Sequence, residues 1–187
     1  SAGLACGLNF LRSSRDGGSA GVPVHVLLRV VLDRCDSAGE ALRLLAALPA
    51  RASACLTRAD AGGVAVAMER SPGGWRLVFP GPGGRLAHTN HFLAGLAAGE
   101  DLEAREAPST GLRLWDLGRL EPGRPLEDAL RSHAGAPESI CRHERDQDTW
   151  PDRRATLASV VLDPGARAMR VADGPPCSAA YVDVSLP

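Results

Sequence analysis

A dense polar cluster near the middle of the sequence is the first candidate for chemistry. Residues 84–93 read Gly-Arg-Leu-Ala-His-Thr-Asn-His-Phe-Leu and place the amide of Asn90 between the imidazoles of His88 and His91. An amide N–H₂ that is held in place can donate to the negative charge that develops on a carbonyl oxygen during acyl transfer. The segment therefore offers an oxyanion donor, but no residue near it is an obvious nucleophile.

Two other residues have the chemistry of a nucleophile. Ser1 is the first residue, and such a side chain can attack with the chain's own α-amine as base. Cys141 lies between Ile140 and Arg142 and is followed by His143, a basic setting that favours a thiolate. For Ser1 a turn that leads into a strand is the favoured interpretation, and for Cys141 a structural role is favoured.

Metal binding has weaker support. The pair His88-x-x-His91 and the later Cys141-x-His143 contain the ligand types that zinc prefers, but their spacing is loose. On a strand, side chains three residues apart point to opposite faces, which separates the first pair. Ordinary polar contacts are the favoured interpretation, so no metal ligand is predicted.

The composition limits the classes of partner. A net charge of −1 gives no electrostatic reason to expect nucleic acid or an acidic membrane surface. No apolar run approaches the roughly 18 residues that a membrane span requires. The five cysteines are odd in number and widely spaced, which favours reduced thiols and a cytoplasmic location. The basic residues are all arginine, so no lysine is available for Schiff-base chemistry.

Local patterns predict the elements that position these residues. Residues 2–11 form an apolar strand, and residues 22–35 follow a helical period with Pro23 in the first turn. Ser37 and Glu40 have the spacing of a capping box that starts a helix over residues 38–48. The period then changes to that of strands. A hairpin is predicted from residues 52–59 and 64–69, joined by a turn at 60–63.

The second half of the chain repeats the change between helix and strand. Residues 94–137 are predicted as helices and loops, with 125–133 the clearest helix. Further strands are predicted at residues 75–79, 85–89, 139–142, 156–163, 167–172 and 180–185. Strands and helices thus occur in blocks instead of alternating. This order favours a single α+β domain over residues 1–187, with two stacked sheets between helix layers.

Several segments in order along the chain resemble one enzyme family. The most specific is Gly-Arg-x-x-His-Thr-Asn-His at residues 84–91, combined with Gly-Val-Pro at 21–23. Weaker similarity covers residues 1–4, 69–72, 139–142 and 153–157. The sequence is similar to the acyl-coenzyme A:6-aminopenicillanic acid acyltransferase family, the penicillin acyltransferase-like autoproteolytic acyltransferases and hydrolases.

This resemblance implies a fold, a reaction and two site residues. The fold is the N-terminal nucleophile (Ntn) hydrolase αββα sandwich. The reaction transfers an acyl group from a small-molecule amide or acyl thioester through an acyl-cysteine, after self-cleavage exposes the cysteine. Asn90 takes the oxyanion-hole position, and Arg153 takes a position in the wall of the active site. No metal or redox cofactor is required.

One departure from the family pattern affects the expected activity. The family's nucleophilic cysteine and its supporting aspartate lie upstream of the segment that matches Ser1, and neither is found in these residues. We therefore expect the C-terminal portion of a sandwich that is incomplete at its N-terminus and inactive without the rest of its precursor. Asp152 lies beside Arg153 and is expected to compete for it. The alternatives are a non-catalytic Ntn-fold binding domain and a bile-salt or acylamide hydrolase of the same fold.

Overall fold

The computed structural model describes residues 3–18, 20–95, 99–121, 123–150 and 153–185, which contain seven strands and five helices. The strands are β1 Leu4–Phe10, β2 Ala54–Asp60, β3 Ala65–Ser71, β4 Gly74–Val78, β5 Ala158–Asp163, β6 Ala168–Asp173 and β7 Tyr181–Ser185. The helices are α1 Val24–Arg34, α2 Ala38–Ala47, α3 Leu102–Glu106, α4 Ser109–Gly118 and α5 Leu126–Leu130. Ser1 and Asp152 lie outside the described residues.

The first sheet is antiparallel, in the order β1-β2-β3-β4. The predicted β2–β3 hairpin is confirmed. Its turn forms because the Asp60 carboxylate accepts from the backbone N–H groups of Gly62 and Val64 at 3.0 and 3.1 Å, while Gly63 adopts a positive φ of 83°. β1 pairs with β2 along one side, so its other side is an edge of this sheet.

Helices α1 and α2 cover one face of the first sheet. Leu27 and Val31 of α1 and Leu45 of α2 pack against Leu56 and Met68, which are register partners on β2 and β3. This apolar layer is the main core.

The predicted capping box is confirmed with a shift of one residue in one of its two bonds. The Ser37 hydroxyl accepts from the Glu40 N–H at 3.3 Å, as the pattern indicates. The Glu40 carboxylate accepts from the N–H of Asp36 at 2.8 Å, instead of from that of Ser37. Both bonds satisfy backbone donors that would otherwise lack a partner at the start of the helix.

Two arginines are buried on the same face as this core. Arg70 on β3 donates to the carbonyl of Leu48, so it satisfies a carbonyl at the end of α2. Arg58 on β2 is 1% exposed, and none of its three side-chain nitrogens has a hydrogen-bond partner among the described residues. Burial lowers the pKa of the Arg58 guanidinium. A buried cation without an acceptor is a cost to stability.

The opposite face of the first sheet supports an irregular segment. The small cluster of Leu11, Cys55 and Ala67 on this side contacts Leu86 and Phe92. The strand predicted for residues 85–89 is wrong, because this segment forms no ladder with the sheet. Side-chain bonds hold it instead: the Arg85 guanidinium, for example, donates to the carbonyls of Leu120 and Glu121.

The second sheet is antiparallel, in the order β5-β6-β7. Its β5–β6 turn is the predicted one, in which the Asp163 carboxylate accepts from the N–H of Ala166 at 2.9 Å. Cross-strand pairing aligns an apolar row of Val160, Val171 and Val182 on one face. Val160 and Val182 are 47% and 64% exposed, so the described elements leave much of this face uncovered.

The α+β class is confirmed, with antiparallel sheets and helices in separate blocks. The helix predicted for residues 125–133 is shorter than expected. The strand predicted for 139–142 is wrong, since the N–H of Cys141 donates to Ser132 within a loop. The longest helix that the structure describes has 11 residues, and none has the length and hydrophobicity needed to cross a bilayer.

Candidate active site

Asn90 lies beside the end of edge strand β1. Its side-chain nitrogen Nδ2 donates to the carbonyl of Phe10 at 3.0 Å, and Phe10 is the last residue of that strand. Its Oδ1 accepts from the Arg113 guanidinium at 3.0 Å. An arginine can only donate, so the oxygen of the amide has to face Arg113 and the nitrogen has to face the strand. The orientation of the amide is therefore fixed.

The amide nitrogen of Asn90 has a second hydrogen. One N–H is used by Phe10, and in the part of the chain that the structure describes no second acceptor is bonded to Nδ2. The residue is half-buried, so this N–H can reach a ligand at the edge of β1. The amide is thus held in place before any charge develops, which is one requirement of an oxyanion donor.

Thr110, near the start of α4, anchors the backbone around Asn90. Its buried hydroxyl accepts from the Asn90 N–H at 2.8 Å and donates to the Thr89 hydroxyl at 3.0 Å. The Thr89 hydroxyl in turn donates to the Thr110 carbonyl at 3.0 Å. Each hydroxyl proton is thus assigned. The Asn90 backbone is therefore tied to α4.

This assignment also determines the tautomer of His91. Its Nδ1 lies 3.0 Å from the Thr110 hydroxyl oxygen, whose own proton is already used. Nδ1 must therefore carry a proton and donate it. Burial lowers the pKa of His91, which favours the neutral ring with a lone pair on Nε2. His91 is fixed in position but keeps one nitrogen that can accept.

A buried ion pair holds the two ends of the same segment. His88 Nε2 lies 2.8 Å from a carboxylate oxygen of Glu69 on β3, and both side chains are 1% exposed. His88 Nδ1 donates to the Thr89 carbonyl at 2.7 Å. Glu69 also accepts from the backbone N–H groups of Leu93 and Ala94, at 2.5 and 3.0 Å. One carboxylate thus fixes both sides of the loop that carries Asn90.

The contacts of His88 require the imidazolium form. Burial by itself lowers the pKa of His88, but its interactions with Cys55 and Glu69 and its bond to the Thr89 carbonyl raise the pKa to about 10. For Glu69, burial raises the pKa, while hydrogen bonds from His88, Leu93 and Ala94 outweigh it and hold the pKa below its ordinary value. Near neutral pH the pair is therefore ionised.

Cys55, His88 and Glu69 have the residue types of a catalytic triad, but their geometry does not permit that role. Cys55 is fully buried and reaches no solvent. Both nitrogens of His88 already donate, to Glu69 and to Thr89, so neither has a lone pair for the thiol proton. The three residues are therefore structural and support the Asn90 loop.

A groove lies away from Asn90, at the other end of β1. It has a volume of about 560 Å³ and runs between α1, the first residues of β1 and the β5–β6 turn. β1 spans about 20 Å between Leu4, which lines the groove, and Phe10, which contacts Asn90. Burial raises the pKa of Cys6 in this groove to about 11, which keeps it a protonated thiol. The groove therefore does not supply a nucleophile for the Asn90 site.

Arg153 lies on the surface and pairs with Glu144, and each side chain is 53% exposed. No hydrogen bond or ion pair joins Arg153 to Asn90 within the described ranges. The position of Arg153 in the wall of the site stays a prediction.

The fold separates the two sequence motifs that were considered as metal ligands. His88 is bound to Glu69, and His91 is bound to Thr110. Cys141 and His143 lie instead with His133 and Cys177. The first pair of histidines therefore belongs to the Asn90 loop, and the second motif belongs to a different cluster.

Three residues that hold Asn90 were not predicted from sequence. Thr110 and Arg113 follow Asn90 by 20 and 23 residues and have no local signature. Glu69 did have one. It is a lone acid that ends the apolar strand run Val64-Ala-Val-Ala-Met, and a buried acid is rarely found without a partner.

Comparison with known proteins gives the site a family context. A search of curated proteins found no match. The model of one protein family, described as acyl-coenzyme A:6-aminopenicillanic acid acyl-transferase, matches residues 1–176. The match includes the Asn90 loop, β3 and α4 and extends over nearly the whole chain. The chain therefore belongs to the acyl-coenzyme A:6-aminopenicillanic acid acyl-transferase family.

Proposed function

We propose that this chain supplies the oxyanion side of an acyl-transfer site, in which an acyl group passes through a cysteine thioester. The observation that carries the proposal is the Asn90 amide. Its oxygen is held by Arg113, one N–H is held by Phe10, and the second N–H is left for a ligand. Membership in an acyltransferase family supports the same reaction class.

In the proposed reaction a cysteine thiolate attacks the carbonyl carbon of a small-molecule amide or acyl thioester. A carbon–sulfur bond forms, and the carbonyl oxygen becomes an oxyanion that accepts from Asn90 Nδ2. The bond to the leaving amine or thiol then breaks, and the leaving group takes a proton. Water or an amine attacks the resulting acyl-cysteine and restores the thiol. The α-amine of the cysteine serves as the base, as in other N-terminal nucleophile enzymes.

The proposal places the nucleophile outside these 187 residues. It rests on the positions of the five cysteines, all of which lie in the described ranges. Cys35, Cys55 and Cys141 are buried, and Cys6 lines the groove four residues, or about 13 Å, along β1 from the Phe10 that contacts Asn90. Cys177 is exposed but lies in the cluster with His133, Cys141 and His143. The edge of β1 beside Asn90 is where an added strand can bring a thiol to the amide.

Arg153 belongs to the proposed site as a cation in its wall. Its partner Glu144 is half-exposed, so the pair is held weakly in water. A carboxylate on the substrate or on the added segment can therefore replace Glu144. This role predicts that Arg153 affects substrate binding more than the chemical step.

The αββα sandwich is part of the same proposal. α1 and α2 already cover one face of the first sheet and form one helix layer. In the second sheet, the apolar row of Val160, Val171 and Val182 is exposed at its two outer members, Val160 and Val182. An apolar sheet face of this kind is suited to packing under a further layer.

The test is Asn90→Ala in the precursor that contains the nucleophile, assayed with an activated thioester. Loss of the oxyanion donor is expected to lower kcat by about 10² to 10³. The matched control is Asn9→Ala, because Asn9 is the other asparagine of the chain and lies on β1 one residue from Phe10. The control should retain its rate.

Two results would contradict the proposal. If Asn90→Ala turned over at the wild-type rate while folded, the oxyanion assignment would be wrong. If the 187-residue chain alone gave a burst of product that blocking of Ser1 abolished, the nucleophile would be Ser1. We expect no burst from this chain, because it has no accessible thiol beside Asn90.

A further inference from the structure

Two histidines and two cysteines meet at one point far from the Asn90 loop in sequence. They are His133, Cys141, His143 and Cys177, and the four potential ligand atoms all lie within 4.8 Å of one another. They come from three segments. His133 follows α5, Cys141 and His143 belong to the next loop, and Cys177 lies between β6 and β7.

The surroundings of His143 Nε2 cannot be explained by hydrogen bonds alone. This nitrogen lies 3.1 Å from His133 Nε2, 3.3 Å from Cys177 Sγ and 3.8 Å from Cys141 Sγ. A ring nitrogen has either one proton or one lone pair, directed in the plane of the ring. It can therefore satisfy one of these three neighbours. Three polar atoms close to one nitrogen are instead the arrangement expected when all four atoms are ligands of one shared centre.

The three distances agree with a tetrahedral zinc site. Zinc–sulfur and zinc–nitrogen bonds of about 2.3 and 2.0–2.1 Å place neighbouring ligand atoms roughly 3.3–3.8 Å apart. The separations of 3.1, 3.3 and 3.8 Å around His143 Nε2 lie at or close to this range. The other pairs of ligand atoms lie no more than 4.8 Å apart, so a contraction of up to about 1 Å would bring the four side chains onto one ion.

We propose that His133, Cys141, His143 and Cys177 bind a structural zinc ion with Cys₂His₂ coordination. A tetrahedral set of two sulfurs and two imidazole nitrogens is typical of zinc. The two thiols release their protons to solvent on binding, and each histidine binds as a neutral ring through Nε2. Four protein ligands leave no open position for substrate, so the ion is structural and takes no part in acyl transfer.

Backbone contacts hold the ligand segments in place. The N–H of Cys141 donates to the carbonyl of Ser132 at 2.9 Å, which places Cys141 beside the residue that precedes His133. Arg131 donates to the carbonyl of Pro176 at 3.0 Å, which brings α5 to the residue before Cys177. The segments of Cys141 and Cys177 are thus each joined to the segment of His133 by bonds that do not depend on the ion.

The ion would connect the long loop after α5 to the second sheet. The described residues of this loop are held partly by bonds within the loop itself, such as the two bonds that join Arg142 and Thr156. A tetrahedral site fixes this loop at His143 and fixes the β6–β7 connection at Cys177. Removal of the metal is therefore expected to loosen residues 131–150 and 153–157 more than the first sheet.

The first experiment uses the full chain purified under reducing conditions, with added zinc and then dialysis. Elemental analysis is expected to give about one zinc per chain. Substitution with Co²⁺ is expected to produce visible absorption of a tetrahedral site together with thiolate-to-cobalt charge transfer. The Co²⁺ spectrum reports ligand type in the unmodified protein, so it does not depend on any variant that fails to fold.

Variants test which residues bind. Cys177→Ala and His133→Ala remove exposed side chains, so the fold should survive. Zinc affinity should fall more than about 100-fold, beyond the loss that follows from removal of an outer partner. The exposed His25 is the matched histidine control, and His25→Ala should retain the metal. Cys177→His keeps a ligand and should retain cobalt binding with weaker charge transfer.

Three outcomes would overturn the proposal. The unmodified chain could remain free of zinc and cobalt after addition of each metal. Folded Cys177→Ala and His133→Ala could bind zinc as tightly as the unmodified chain. Mass spectrometry could find Cys141 and Cys177 joined as a disulfide in protein kept under reducing buffer, in which case the cluster would be a cross-link instead of a metal site.

Discussion

Arg113 donates to the side-chain oxygen of Asn90 at 3.0 Å, and this contact determines which end of the amide faces the edge of β1. A half-turn of the amide would direct its oxygen at the ligand and would also place that oxygen against the Phe10 carbonyl, so Arg113 and Phe10 together oppose the rotation. An oxygen in that position would repel a developing oxyanion. Arg113 is therefore a positioning residue of the proposed site and need not contact substrate.

Arg113→Met is expected to lower kcat of the complete precursor by about 10- to 100-fold, with little change in KM. The reason is that a misplaced group in an active site costs up to about 10² in rate even when binding is retained. Steady-state kinetics with an activated thioester would separate the two constants. Arg113→Lys keeps a donor and should restore part of the rate.

Arg29→Met is the matched control for Arg113, since Arg29 is an exposed arginine paired with Asp33 on α1. Its kinetics should equal those of the unmodified protein. If Arg113→Met left kcat unchanged, the amide of Asn90 would be held by its other contacts, and the positioning role would be wrong.

Stability should depend on pH through His88 and Glu69. The pKa of His88 rises from 6.5 to about 10 on folding, so its stabilising contribution is complete below pH 6.5 and is lost as the pH rises through about 10. The pKa of Glu69 is lowered from 4.5, so its contribution is complete above pH 4.5 and is lost as the pH falls through the lower folded-state value. The pair therefore contributes most between pH 4.5 and 6.5. Urea unfolding across the pH range would measure this.

Variants of His88 and Glu69 separate the contribution of this pair to stability from that of other titrating groups. Removal of one partner, as in His88→Gln, leaves a buried charge and should cost about 3–5 kcal/mol. The double variant with Glu69→Gln should recover part of this loss. Its free energy of unfolding should no longer fall through the His88 titration as the pH rises from 6.5 to about 10. A single variant as stable as the unmodified protein would show that the pair does not hold the loop.

Arg58→Met should increase stability. Arg58 is fully buried without a hydrogen-bond partner in the described ranges, so its removal eliminates a desolvated cation and keeps apolar volume. Replacement of buried charges by apolar side chains of similar size can stabilise a protein by about 1–4 kcal/mol. Chemical denaturation of the two proteins would measure the difference.

Arg70→Met is the matched comparison for Arg58→Met. Arg70 lies on the same face of the sheet, but it donates to the carbonyl of Leu48 at the end of α2. Its removal leaves that carbonyl without a partner and should cost about 1–3 kcal/mol. Opposite signs for the two variants are expected. If both destabilised equally, Arg58 would have an acceptor that the described contacts do not include.

The elements that could be predicted from sequence depend on neighbours in the chain. The capping box at Ser37 and the turn at Asp60 need only residues within four positions, and both are confirmed. The segment at 85–89 has a strand pattern but belongs to a loop, because Arg85 and His88 are bound by distant residues. Local patterns do not contain these long-range acceptors.

The same limit applies to the candidate site. Asn90 could be selected from the density of polar groups around it, and the structure adds the contacts that fix its orientation. Arg113 and Thr110 could not be selected, because only the packing of α4 brings them to the loop. The catalytic roles of Asn90 and Arg153 stay predictions until kinetics test them.

The bonds of Glu69 couple the loop to the sheet. Its carboxylate accepts from the backbone of Leu93 and Ala94, residues 24 and 25 positions away, while Glu69 itself lies in the middle of the first sheet. Opening of the loop at these two amides therefore has to break bonds to a carboxylate on an interior strand. The amides of Leu93 and Ala94 are therefore expected to exchange with solvent more slowly than loop amides that lack such an acceptor.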